Sequence, residues 1–442
     1  MEGYGLVLGG GGAKGSYEIG VWKALRELEI PLIAVAGTSV GALNGAMIIQ
    51  NDYDKALKLW TSISIEAIIN MNKATSVFEP HDIKEEIVKL VKAVINSGGL
   101  DAAPLKKLLL EIIDEQKIRN SHMDFGIVTF SLTDLKPITL FKEDIPEGKM
   151  VDYLLASASF PAFRPMEING KKFIDGAVYD NIPVSLMLQR KIYDVIAVDI
   201  SGVGRVRKVK DRDLNIIRIK NSEDLGPLLA FDVERVKRNI EIGYYDTMKA
   251  FGKYKGKYYY LTDTNSSIKL DENHVRLAYS LLGIDWDKRQ SPQNRFIIYK
   301  LIRNLKKYSH DGKFRNTGGV ILAAAEITAE VMGIERLKEY TSDDLISMII
   351  EHYNLNKTDK ALEDFANIIE TQIWNTNRYS FTEKMKKTIT ESKFAALYSA
   401  DVNDLSERTV LYRRLLALTY PKVCIANIFL AFLLNIHLDN KI

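Results

Sequence analysis

The chain has one cysteine, Cys424, among 442 residues. That excludes an intramolecular disulfide and makes a reducing, cytoplasmic setting the default expectation. No basic n-region followed by an apolar h-region opens the sequence, although a specialised secretion route leaves no such mark. An excess of one charge is also missing: 60 Lys and Arg stand against 57 Asp and Glu, and a net +3 is too small to argue for a nucleic-acid partner. The apolar run Val423 to Ile436, "VCIANIFLAFLLNI", contains Asn427 and Asn435 and falls short of the roughly 20 residues that span a bilayer. A buried core helix is expected there, with an interfacial anchor as the alternative. Histidine is scarce where chemistry would want it. His81, His122, His274, His310, His352 and His437 lie in polar or helical contexts without a strand-end turn, so they are expected at the surface or on helices.

What is present is an ordinary globular composition, 46% hydrophobic and 26% charged, in a chain long enough for two domains with sizeable cores. The informative stretches come early. Tyr4 to Leu8 reads as a short buried strand, and Ser16 to Leu28 places Ile19, Val21, Trp22, Leu25 and Leu28 at helical spacing. Between them lies Gly9-Gly10-Gly11-Gly12-Ala13-Lys14-Gly15, a loop whose uncovered amides and following helix N-terminus suit a negative guest. The spacing Gly10-x-Gly12-x-x-Gly15 fits a dinucleotide fingerprint, but that motif wants an acidic residue after the second strand. Here the strand "LIAVA", Leu32 to Ala36, runs directly into "GTSVGALNGA". A P-loop fails as well, because Ser16 follows Gly15 where a lysine is required.

Gly37-Thr38-Ser39-Val40-Gly41 is a G-x-S-x-G stretch between that strand and the helix Val40 to Ile49. This is the context of a nucleophile elbow, in which small residues on either side permit a tight turn that lifts a serine clear of the sheet. The same residues also read as a plain helix cap. If the first two strands are parallel neighbours, the Gly10 to Gly12 amides and Ser39 emerge at one sheet edge, and the loop's guest is a transient oxyanion. For a base, Asp175 follows the strand Phe173-Ile174 and precedes Gly176, a turn that presents a carboxylate; Asp-Gly is equally a common plain turn.

Together, "GGGGAKG" after the first strand, "GTSVG", and "DGA" after "ASASFPAFRPMEINGKKFI" resemble the patatin-like phospholipase family of bacterial type. "GGLDAAPLKKLL", "DFGIVTFSLTDL", "YDVIAVDIS" and "IEIGYYDTMKAF" are similar to further family stretches, so the resemblance covers residues 4 to 262. It implies a three-layer α/β/α fold with a mostly parallel central sheet, and a lipid acyl hydrolase that uses a Ser-Asp dyad without histidine. On that basis Ser39 is the nucleophile, Asp175 the general base, and the amides of Gly10, Gly11 and Gly12 the oxyanion hole. Lys14, Gly15, Gly37, Gly41, Gly176 and Ala177 support the motifs, with Ala177 standing where glycine is also common. No metal or other cofactor is implied. A base working at neutral pH predicts a desolvated Asp175 with a raised pKa.

The expected layout is a catalytic domain over 1–262, a polar linker over 263–273, and an all-helical C-terminal domain over 274–442 with a cap, regulatory or assembly role. Phospholipids or lysophospholipids are the expected substrates. The alternatives are a carboxylesterase or neutral-lipid lipase, and a latent hydrolase switched on by a ligand or partner at the helical half. The basic stretch "GRVRKVKDR", Gly204 to Arg212, follows a strand and is expected at the same sheet edge as the site. It reads as a solvated loop or as a peripheral membrane contact for anionic headgroups.

Overall fold

The uninterrupted apolar run Tyr4–Leu8 forms β1, and the 3.6-residue spacing after the glycine loop forms α1, Ser16–Glu27. β2, Leu32–Thr38, then lies parallel to β1 and delivers the chain to α2, Val40–Ile49. In this computed structural model the described residues are 3–68, 100–161, 163–264, 267–269, 271–309, 314, 317–357, 360–369, 371, 389 and 393–439. They divide into two compact units, Met1–Phe251 and Gly252–Ile442.

The first unit continues through α3 (Tyr53–Ser62), α4 (Ala103–Ile112), α5 (Glu115–Asn120), β3 (Asp124–Ser131), β4 (Lys136–Phe141) and α6 (Met150–Ser157). It closes with β5 (Met166–Ile168), β6 (Lys171–Asp175), α7 (Ser185–Gln189), β7 (Asp194–Asp199), β8 (Asn215–Lys220) and α8 (Val233–Ala250). Its eight strands form one sheet in the order β5-β6-β3-β2-β1-β7-β8, with β4 also on β3. The β3-β2-β1-β7-β8 part is parallel, and β4, β5 and β6 supply the antiparallel edge. Val7, Ala36, Val128 and Ala197 pack on Leu186 and Met187 of α7. Leu6, Leu8 and Val35 alternate to the other face and are also fully buried, so both faces are covered.

Register along β3 positions the site. Thr38, the last residue of β2, lies opposite Val128, and Asp175, the last of β6, lies opposite Thr129. β4 covers Gly126 to Ser131 from one edge, overlapping both partners' stretches, so β2 and β6 share the other edge. One runs parallel to β3 and the other antiparallel. Their carboxyl ends therefore meet head-on at adjacent β3 residues.

The second unit is helical: α9 (Glu272–Leu281), α10 (Pro292–Lys307), α11 (Thr317–Met332), α12 (Ser342–Asn356), α13 (Lys360–Ile369), α14 (Glu407–Thr419) and α15 (Pro421–Asp439). A two-residue parallel pair joins β9, Tyr260–Leu261, to β10, Glu339–Tyr340. Tyr259 and Leu261 belong to this unit's core together with Leu430, Phe429 and Tyr412, so the chain enters the unit ahead of the polar stretch 263–273. The run Val423 to Ile436 lies within α15, with Cys424, Ile425 and Leu433 in that core. Among the described residues no helix is long and apolar enough to cross a membrane. Asn427 is buried but satisfied, donating to Ala396 O and Tyr398 O and accepting from Arg413.

Candidate active site

Ser39 sits at φ 57, ψ −128, a conformation outside the usual wells for a side-chain-bearing residue, between β2 and α2. Such strain persists only where the surroundings over-determine it. The Ser39 amide donates to Ser157 Oγ at 3.0 Å, and Ser157 Oγ donates in turn to Val128 O at 2.7 Å. Thr38 Oγ1 donates to Asp180 O at 2.9 Å. The turn also needs small neighbours: a Cβ on Gly37 would meet Gly41 O at 2.2 Å, and one on Gly41 would meet Leu8 O at 2.5 Å.

Across the β3 edge, Asp175 is buried beside the Ser39 hydroxyl, and its side chain accepts from the Ala177 amide at 2.8 Å. Burial raises its pKa from the ordinary carboxylate value to about 6, against the lowering effect of those two groups. Gly176 follows because a Cβ there would stand 2.3 Å from Val128 O. The head-on strands thus bring Ser39 and Asp175 together from 136 positions apart in sequence, and no histidine among the described residues lines their cavity. His122 is exposed, and His274 closes the first turn of α9 with Asp271. His352 lies in α12. His81, His310 and the side chain of His437 lie outside the described residues.

The glycine loop faces the same cavity, through Gly10, Gly11 and Gly12, but its three amides are not equivalent. The Gly10 amide donates to Asn181, to Oδ1 at 3.1 Å and to the backbone oxygen at 3.2 Å, while Asn181 Nδ2 returns a bond to Gly10 O at 3.1 Å. Gly10 is therefore clamped, and the expectation that it donates to an oxyanion is replaced by a role in fixing the loop. Gly11 and Gly12 amides have no hydrogen-bond partner among the described residues, which leaves two donors. Gly12 needs its positive φ of 57, and a Cβ there would strike Leu228 O at 2.3 Å. Lys14 points elsewhere: it is buried, its Nζ donates to Ser201 O at 3.0 Å, and burial lowers its pKa against the fields of Asp224 and Asp199. It braces the loop. Gly15 lets α2 and α3 approach, since a Cβ would meet Val40 at 2.5 Å and Trp60 at 3.1 Å.

Four residues that the motifs do not contain hold this arrangement. Asn181 and Ser157 are two of them. Asn44 Nδ2 donates to Glu18 Oε2 at 2.8 Å and to Gly15 O at 2.9 Å, and its Oδ1 accepts from Trp60 Nε1 at 2.9 Å. Glu18 is fully buried, and burial pushes its pKa up to about 8, opposed by Asn44 and the Gly9 amide. One signal was available: Asn44 is the lone polar side chain in the otherwise apolar helix "VGALNGAMII". The dyad and the loop form the polar end of a cavity of about 310 Å³ whose remaining wall is mostly apolar, including Leu43, Met47, Trp60, Leu105, Leu109 and Phe231. Among the described residues no group of three His, Cys, Asp or Glu side chains could hold a metal ion.

Residues 6–188 match the sequence profile of a family described as Patatin-like phospholipase. The chain carries a patatin-like phospholipase domain. It is 29% identical over 217 residues to Lysophospholipase NTE1 of Kluyveromyces lactis, a match covering 45% of this chain and 13% of that protein. It is 26% identical over 203 residues to the Patatin-like phospholipase domain-containing protein ZK370.4 of Caenorhabditis elegans, covering 45% of this chain and 14% of the relative. The chain thus spans only a small part of the length of these curated relatives. Among solved structures, VipD from Legionella pneumophila aligns over 91% of this chain and 93% of its own at 16% identity, with a TM-score of 0.38, too loose to argue from. The patatin-like match covers β1 through α7, and therefore Ser39, Asp175 and the glycine loop.

Proposed function

We propose that this protein is a lipid acyl hydrolase that cleaves fatty-acyl esters of phospholipids or lysophospholipids through a Ser39-Asp175 dyad. The observation that carries the reading is a serine in a strained strand-to-helix turn, lining one cavity with a buried aspartate of raised pKa, at that cavity's polar end. An apolar wall of this kind accommodates an acyl chain, while a small number of polar groups orient the ester.

In the proposed reaction Asp175 accepts the Ser39 proton as Oγ attacks the ester carbonyl. The Gly11 and Gly12 amides hold the oxyanion, and the alcohol or lysolipid departs with the proton from Asp175. Water then attacks the acyl-enzyme by the same route, giving free fatty acid and restoring Ser39. Asn181 and Lys14 act through the loop that they fix, and Ser157 acts through the Ser39 amide. Fatty-acid release from mixed phospholipid vesicles, with Ser39→Ala run in parallel and products identified by mass spectrometry, tests the reading. Release confined to the unsubstituted protein supports it and the products name the bond. Equal release from both proteins rules out the serine.

A further inference from the structure

The cavity mouth carries exposed apolar side chains with cations beside them. Val203, Gly204 and Arg205 line the cavity from the loop after β7, and Val178 lines it from the turn after Asp175. The two segments are tied: the Arg205 amide donates to Ala177 O at 2.9 Å and the Asn181 amide to Arg205 O at 2.6 Å. Val209 packs against the sheet core and fixes the far side of the loop. Yet Val178, Val203 and Val206 are 42%, 43% and 49% exposed. Two exposed valines on the cavity lining, with Val206 exposed in the same loop, suggest a surface that is covered during work.

The charge beside them is mostly positive. Between Gly204 and Arg212 the cations Arg205, Arg207, Lys208, Lys210 and Arg212 face a single acid, Asp211. Arg207 lies over the Tyr179 ring, 4.5 Å from its centroid, and its amide donates to the buried Asp180. Lys208, Lys210 and Arg212 are exposed, and their side chains form no hydrogen bond or ion pair among the described residues. A soluble polyanion would use the cations and leave the valines in water. A bilayer with anionic headgroups uses both, because apolar side chains enter the interface while Lys and Arg meet the negative surface.

We propose that this rim is the face by which the protein docks on an anionic lipid bilayer, with the 204–212 loop reading surface charge and Val178, Val203 and Val206 entering the interface. The docking deepens the lipid-hydrolase reading, since it presents the cavity mouth to its substrate, but its measurement needs no catalysis. The full chain bearing Ser39→Ala would be sedimented with phosphatidylcholine vesicles, and with the same vesicles containing a minority of phosphatidylserine, at low and high salt.

The expected result is pelleting with the anionic vesicles alone, weakened by salt over the range where screening lengths shorten. Lys208→Glu, Lys210→Glu and Arg212→Glu combined should weaken partitioning at least about tenfold, and Val206→Asp should weaken it separately. All four positions lie outside the cavity, so thermal melting should match the parent and show that the fold is intact. Equal pelleting with neutral and anionic vesicles overturns the proposal, as does unchanged partitioning of the triple variant. Binding of polyglutamate but of neither vesicle overturns it in favour of an acidic protein partner. Vesicle binding without fatty-acid release by the unsubstituted protein would leave the docking face standing and remove only the hydrolase reading.

Discussion

An aspartate in water is too weak a base to deprotonate serine usefully at neutral pH, and the residue-scale question is what raises Asp175. Burial does, to about 6, with the Ser39 hydroxyl and the Ala177 amide holding it from rising further. Only the ionised carboxylate can accept the proton, so turnover of a water-soluble ester should climb with pH through about 6 and level off above it. A pH profile of kcat/KM checks this, and a profile centred near 4 would contradict the desolvated base. Asp175→Asn should lower kcat on the order of 10³-fold or more, because the neutral amide cannot take the proton. Glu18 makes a different prediction, about stability. Its native pKa of about 8 exceeds the ordinary value of 4.5, so the native state holds a proton that the unfolded chain has released between those values. Stability should therefore be full below about 4.5 and fall as pH rises toward 8. Glu18→Gln, which cannot ionise, should flatten that decline in urea midpoints measured across the window. An unchanged slope would mean that Glu18 is ionised in the fold.

At the scale of elements, the strands and helices that carry the motifs were legible because each is a local pattern. β1 and α2 fall over the residues read from sequence, and α1 ends within a residue of them. Asp175 was legible as a strand-end turn, but nothing local says that β6 meets β2 head-on along β3, since that depends on a register set far away in sequence. Asn181, 171 positions from the Gly10 it clamps, and Ser157, 118 positions from Ser39, were invisible for the same reason. Nor could sequence tell that the Gly10 amide is occupied while its two neighbours are not. Another non-local element contact is testable directly. α1 and α8 cross so closely that a Cβ on Gly20 would lie 1.8 Å from Ile240 O, and one on Gly243 would lie 2.0 Å from Tyr17 O. Backbone oxygens cannot yield as a flexible side chain would. Gly243→Ala should therefore force the helices apart at a cost of about 2 kcal/mol or more, lowering Tm by about 4 °C or more. A melting temperature equal to the parent's would show that the helices have slack.

At the scale of the whole chain, the division between the two units falls ahead of the polar stretch 263–273. The described chain passes into its second unit at Gly252, because Tyr259 and Leu261 are buried among helices and β9 pairs with β10. The second unit is stabilised by a charge as well as by apolar packing. Arg413 is fully buried, and its guanidinium donates to Asn427 Oδ1 at 2.9 Å, Ser399 O at 2.7 Å, Asp401 O at 3.1 Å and Asp404 O at 3.1 Å. Burial lowers its pKa, and the nearby Asp404 and Asp401 oppose that. A flat fork with five donors reaches carbonyls on several sides at once, which a lysine ammonium cannot do. Arg413→Lys should therefore leave buried acceptors unmet and destabilise the unit by about 2 kcal/mol or more, although the charge is kept. Native-state hydrogen exchange should locate the effect, with protection lost around Glu407–Thr419 and Pro421–Asp439. If protection fell instead in the strands of the first unit, or nowhere, Arg413 would be a tolerated charge and not the tie that holds these two helices to the loop at 399–404.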